Sequence, residues 1–251
     1  MGKNFVIAIL FACVLLDAAP MAVHNPKCDW HDVKTDFYQC TFYNGCMFPV
    51  WFKSADGKME FPRHFLLDWI KFADAPDTEL HYLHEDRFAT VAVLENTDDT
   101  LVVECKGKFC KGVKSFPGVT ATYRWTLKRH SPEINLDAQI AYDDNAPRRL
   151  CLTMTGSMAF RNMPFDKVQI AQNAPKPFRT PGKAPEVFVS RNGLALLTAD
   201  GLRFGVSTPA VAWNNSHNRF FTYISQEMPI NERTWNGGKP FSFKMTFNIS
   251  K

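Results

Sequence analysis

The chain reads Val119-Thr-Ala-Thr-Tyr-Arg-Trp-Thr-Leu-Lys-Arg-His130, breaks at Ser131-Pro132, and resumes as Glu133-Ile-Asn-Leu-Asp-Ala-Gln-Ile-Ala-Tyr142. Before the break, Val119, Ala121, Tyr123, Trp125 and Leu127 occupy one side of a period of two. Threonine, arginine and lysine take the other. After it, Ile134, Leu136, Ala138 and Ile140 restore the same alternation. Such a pattern, rich in β-branched and aromatic residues and carried across a proline turn, predicts a long antiparallel hairpin with one buried face. Trp125 alternates with the core positions and is expected to be buried.

Outward from this hairpin the chain repeats the same grammar. Strands are expected over 48–52, 89–94, 101–104, 150–160, 168–171, 186–189, 194–198, 203–207, 220–225 and 241–249. Asn192-Gly193 and Asp200-Gly201 are strong hairpin-turn signals between three of them. The segment Phe61 to Phe72 suits either a short helix begun at Pro62 or a strand of bulky residues, since periodicity does not decide. A proline-rich connection from Ala174 to Pro185 reads as a surface loop. There is no repeat, low-complexity tract or linker. The expectation is a single all-β domain over 23–251, an antiparallel two-sheet β-sandwich with few short helices.

Residues 1–22 have the layout of a secretory signal peptide: Lys3, the apolar run Phe5 to Leu16, then Ala18, Ala19 and Ala22. The run is short for a membrane span, and no transmembrane segment is expected after its removal. Leu10-Phe-Ala-Cys13 has the outline of a lipobox, but Phe is unusual there and the apolar run continues past it. A secreted or periplasmic protein is therefore preferred over one anchored through Cys13. Six further cysteines, Cys28, Cys40, Cys46, Cys105, Cys110 and Cys151, suggest disulfides in an oxidising compartment, with the pairing left open. Cys105 and Cys110 flank Lys-Gly-Lys-Phe and are candidates to staple a hairpin end; a zinc site there lacks a histidine at matching spacing. The net charge of +4 permits an acidic ligand, and no lysine or arginine run points to nucleic acid.

Three stretches together resemble the β-supersandwich of galactose mutarotases, which recurs in the sheet domains of polysaccharide lyases and glycoside hydrolases. They are Tyr123-Arg-Trp-Thr-Leu-Lys-Arg-His-Ser-Pro-Glu-Ile-Asn-Leu-Asp-Ala-Gln-Ile140, Leu194-Ala-Leu-Leu-Thr-Ala-Asp-Gly-Leu-Arg-Phe-Gly-Val206, and Tyr223-Ile-Ser-Gln-Glu227 with Phe241 to Ile249. The resemblance implies sugar chemistry on a concave sheet face. Mutarotases use a histidine in a His-x-Tyr-Phe-Asn type segment and a late glutamate. Asn214-Asn-Ser-His-Asn-Arg-Phe220 offers His217 without that continuation, and Glu227 stands roughly where the glutamate would.

The expected function is an exported carbohydrate-binding or carbohydrate-processing protein. Ring opening or β-elimination needs a base near neutral pH and a second group at the oxygen. His217 and Glu227 are the candidates for those catalytic roles, with Arg219 and Arg233 able to hold a substrate carboxylate. Trp213 and Trp235, read as lying in polar loops, and Tyr223 are candidate stacking surfaces for pyranose rings. The alternatives are a sugar epimerase or polysaccharide lyase, and a non-catalytic structural or protein-binding domain. His81-Tyr-Leu-His84-Glu85-Asp86-Arg87 places two histidines three apart, but without a third ligand it reads as a polar rim. No metal or cofactor is expected, and the expected partner is a carbohydrate, acidic glycans included.

Overall fold

The apolar side of the 119–142 hairpin needs a second apolar layer over it, and the N-terminal strands supply one. The structure, a computed structural model, describes residues 19–61, 69–72, 80–142, 152–161, 165–177, 186–189, 193–207, 212–217, 221–229 and 240–251. A five-stranded meander comes first: β1 (Ala22–Asn25), β2 (Trp30–Lys34), β3 (Tyr38–Tyr43), β4 (Val50–Ser54) and β5 (Glu60–Phe61). The large sheet opens with β6 (Trp69–Phe72), β7 (Leu80–Tyr82), β8 (Thr90–Asn96), β9 (Thr100–Lys111), β10 (Lys114–Lys128), β11 (Glu133–Tyr142) and β12 (Leu152–Arg161). It continues with β13 (Lys167–Ile170), β14 (Lys176–Pro177), β15 (Glu186–Val189), β16 (Leu194–Leu197), β17 (Arg203–Ser207), β18 (Ala212–His217), β19 (Phe221–Pro229) and β20 (Phe241–Ser250). The spatial order is β14-β13-β16-β17-β20-β11-β10-β9-β7-β6-β12-β19-β18-β15, with β8 also paired to β9.

β10 and β11 make the expected hairpin, with Val119 opposite Tyr142 and Leu127 opposite Ile134. β20 pairs with the far side of β11, setting Phe247 opposite Ile134 and Phe243 opposite Ala138. Tyr123, Trp125, Leu127, Ile134 and Ile140 are wholly buried, as the alternation requires. The small sheet closes over them. Phe42 stands 6.4 Å from Trp125 and Phe48 stands 5.9 Å from Tyr123, ring centre to ring centre. The Trp125 indole Nε1–H donates to the Met47 carbonyl at 3.1 Å, so its one polar group is satisfied inside the core. Trp125 also approaches Phe247, and Phe247 approaches Phe204, each at 6.3 Å. Gly107 allows the two layers to meet, because a β-carbon there would come within 2.7 Å of the Met47 sulfur.

Several expectations change. Among the described residues there is no helix, and the end of the ambiguous Phe61–Phe72 segment is strand β6. Ala212–His217, read as a polar loop, is a strand hydrogen-bonded between β15 and β19. Cys105 and Cys110 both belong to β9, where five residues of extended chain separate them by about 17 Å. A disulfide spans Cα atoms less than about 7 Å apart, so they do not staple a hairpin to each other. Among the described residues, no two of Cys28, Cys40, Cys46, Cys105 and Cys110 are joined by a disulfide. Cys13, Cys151 and the signal segment before residue 19 lie outside the described residues.

Truncation of Trp125 to alanine removes the joint between the layers and is expected to cost about 3–5 kcal/mol in chemical denaturation. A loss below about 1 kcal/mol would show that the sheets are not held together there. Burial pushes the thiols of Cys40 and Cys105 and the phenol of Tyr38 up. Raised values in the folded state stabilise it fully below the ordinary thiol value of 9.0, and that contribution declines above it as the unfolded chain ionises. The thermal midpoint of the reduced protein should accordingly fall as pH rises from 8 to about 11, and a flat profile would contradict this burial.

Candidate carbohydrate-binding face

Strand alternation that sends Val103, Tyr123, Leu136 and Phe243 inward sends their neighbours to the outer face. Register then decides which of those neighbours meet. Glu104 of β9 lies opposite Arg124 of β10, Arg124 opposite Asp137 of β11, and Asp137 opposite Lys244 of β20. The result is a row of alternating charge across four strands. Arg124 Nη2 donates to Glu104 Oε2 at 2.9 Å, Lys106 Nζ to Glu104 Oε1 at 2.7 Å, and Lys244 Nζ to Asp137 Oδ1 at 2.7 Å. The next row along the strands is Lys106, Thr122, Gln139 and Ser242. Beyond the charged row on the other side, the Thr246 hydroxyl donates to Asn135 Oδ1 at 2.8 Å.

These side chains line a shallow cavity of about 410 Å³ bounded by Glu104, Thr122, Arg124, Asp137, Gln139 and Lys244. Thr122 also borders a second cavity of about 620 Å³, which continues towards Lys106, Lys108, Phe88 and Val113. Phe88 and Val113 are 89% and 94% exposed. The loop before Phe88 is tied down: Lys108 N–H donates to Asp86 Oδ2 at 2.6 Å, Phe88 N–H to Asp86 Oδ1 at 3.0 Å, and Gly112 N–H to Glu85. Carboxylates, cations, amides and hydroxyls beside exposed apolar groups suit a ligand rich in hydroxyls with apolar ring faces. Hydrogen bonds from Lys106 and Arg124 hold the Glu104 carboxyl below its ordinary range. It is therefore an acceptor and not a proton donor near neutral pH.

Register also locates the residues anticipated from sequence. His217 pairs with Thr222, and Glu227 with Ala212, at the two ends of the β18–β19 ladder. The five-residue offset, about 17 Å, is odd, so the two fall on opposite faces of the sheet. Trp213 shares the His217 face and Tyr223 the Glu227 face. Glu227 continues through Thr155, Trp69 and Tyr82 to Cys110 in one cross-strand row. Cys110 stands on β9 in the same alternation as Glu104 and Lys106. Arg219, Arg233 and Trp235 lie outside the described residues. Glu104, Lys106, Arg124, Asp137 and Lys244 were missed from sequence; their outward positions were readable, but their meeting depends on register.

No family model matches the chain, and no curated protein is significantly similar to it. Solved structures do match. A galactose mutarotase-like protein from Clostridium acetobutylicum superposes with a TM-score of 0.60 at 9% identity, over 93% of this chain and 99% of that one. A galactose mutarotase related enzyme from Lactobacillus acidophilus gives 0.56 at 10% identity, over 88% and 97%. The fold is the galactose mutarotase-like β-supersandwich. An α-mannosidase from Enterococcus faecalis contains a similar unit, with a TM-score of 0.61 at 8% identity; 92% of this chain corresponds to 30% of that larger one. The resemblance expected from residues 123–140, 194–206 and 241–249 is therefore met at the level of fold.

Removing the Arg124 guanidinium leaves Glu104 with Lys106 as its remaining cation. In Arg124→Ala the Glu104 carboxyl is expected to titrate closer to its ordinary 4.5 than in the native protein. Carboxyl-detected NMR titration reads this directly, and an unshifted Glu104 would mean that the pair is not formed in solution.

Proposed function

We propose that this chain is an exported carbohydrate-binding protein that holds a glycan on the outer face of β9, β10, β11 and β20. The observation that carries the reading is the Glu104–Arg124–Asp137–Lys244 row, with Phe88 exposed at the edge of the adjoining cavity. Fixed carboxylates accept from sugar hydroxyls, while Arg124, Lys106 and Lys244 donate to them. Around the two cavities the four cations Lys106, Lys108, Arg124 and Lys244 exceed the three carboxylates Asp86, Glu104 and Asp137, so the face accommodates glycans bearing carboxylates. Likeness to carbohydrate-processing enzymes in fold supports the ligand class. Lys3, the Phe5–Leu16 run and the small residues after it support export.

Epimerase or lyase chemistry through His217 and Glu227 has less behind it. The two stand on opposite faces of one hairpin, and a Glu104 held ionised supplies no general acid. Binding without turnover is the better account of this face.

The test is calorimetry with oligogalacturonate and with a neutral oligosaccharide of equal length, following a glycan array. Arg124→Ala and Asp137→Ala should each weaken binding tenfold or more, since a hydrogen bond to a charged group is worth about 1.5–3 kcal/mol. Affinity for the acidic ligand should fall as salt rises. His217→Ala should bind as the native protein does. Unchanged affinity in both face variants would sink the proposal, and sugar turnover abolished by His217→Ala would replace it with an enzyme.

A further inference from the structure

The outer face of the small sheet carries a second feature that the large-sheet proposal does not use. Its polar positions include Lys34, Gln39 and Lys53, yet three aromatic rings interrupt them. Trp30 lies opposite Tyr43 in the β2–β3 ladder, and their rings stand 6.2 Å apart. Trp51 of β4 joins them, 4.6 Å from Trp30 and 6.1 Å from Tyr43. Tyr43 and Trp51 are nearly parallel, at 22°, while Trp30 leans against them at 51° and 56°. Two near-parallel rings with a third inclined beside them form a corner, not a closed core cluster.

The backbone is bent to present this corner. Register shifts between Gln39 and Thr41 where β3 meets β4, and Trp51 sits at that irregularity with φ of +48°. A bulky side chain in the left-handed region is an outlier that glycine or asparagine would relieve. Trp51 nevertheless leaves 45% of its surface in water. A merely structural position would favour a polar or small residue here. Strain retained to hold an exposed indole beside two other rings is the mark of a binding surface. Polar groups flank it on the same face: Asn25 opposite Trp30, and exposed Asp32, whose Oδ1 accepts the Thr41 hydroxyl at 2.7 Å.

We infer that Trp30, Tyr43 and Trp51 form a second glycan-binding site, a stacking platform for the pyranose rings of a neutral polysaccharide. Apolar C–H faces pack on aromatic planes, while Asn25 and Asp32 take the ring hydroxyls. Neither Asn25 nor Asp32 brings a cation to the rings, so the assigned ligand is a neutral chain. It lies on the opposite outer surface of the sandwich from the Arg124 face, because the inner faces of the two sheets pack on each other. It does not rest on the proposal for that face.

The experiment is affinity electrophoresis of the full chain through gels containing galactomannan, xylan or hydroxyethyl cellulose, with thermal midpoints measured in parallel. The native protein should be retarded by at least one of these. Trp51→Gly, which relieves the left-handed backbone, and Trp30→Ala should each weaken that retardation tenfold or more. The Trp51→Gly midpoint should hold or rise. Retardation that Arg124→Ala abolishes and Trp51→Gly leaves intact belongs to the large-sheet face, which separates failure here from failure of that proposal. Equal retardation of native and Trp51→Gly protein, or no retardation of the native chain by any of the three, would overturn the assignment. So would a native dimer that Trp51→Gly converts to monomer, since the rings would then be a contact between copies.

Discussion

The indole of Trp125 is where the two sheets become one protein. Its ring is fully buried between Phe42 of the small sheet and Phe247 of the large one, and its Nε1–H closes on the Met47 carbonyl. A buried indole without a partner for that proton would carry a desolvation penalty, so the hydrogen bond fixes the 45–48 segment over β9 and β10. Met47 can lie there because Gly107 presents no β-carbon. Once this inner face is covered, both outer faces are free for polar and ligand-directed chemistry. The charged row on one side and the aromatic corner on the other both depend on that closure.

The large sheet was legible because its central strands obey one rule over long distances. Val119 to Leu127 and Ile134 to Ile140 alternate without a break, and only a strand with one buried face makes that pattern useful. β18 was not legible. Ala-Trp-Asn-Asn-Ser-His has poor strand propensity, and it extends because β15 and β19 on either side offer it a full set of hydrogen bonds. Propensity of this kind is a property of neighbours as much as of the segment. The small sheet hid for a related reason. Its strands are short, and only β4 was anticipated, as a strand over 48–52; β1, β2 and β3 carry too few alternating positions to announce themselves.

The candidate site was less legible than the fold, and the cause is register. Glu104, Arg124, Asp137 and Lys244 are spread across 141 positions of sequence, and each reads alone as a solvated charge on an outward position. They become neighbours only through three ladders whose offsets are set by turns and by the irregularity between Ser115 and Thr120. A slip of one residue in any ladder would send a charge into the core. The same logic sets His217 and Glu227 apart, which the resemblance to mutarotases had suggested as a pair. Ten residues apart on a hairpin is not a distance but a choice of face.

That choice bears on what a supersandwich can do at 8–10% identity to carbohydrate-processing enzymes. Alternation and burial preserve the scaffold while every outward position is free to change. Catalysis at a sugar needs one group that gives a proton and another that takes it, with their pKa values pushed apart on a shared face. On the charged row Lys106 and Arg124 push Glu104 the other way, holding it ionised. Such a carboxylate accepts hydrogen bonds in the ground state, where affinity is made. A scaffold shared with carbohydrate-processing enzymes is thus compatible with the binding role proposed for this face, where Glu104 is held as an acceptor.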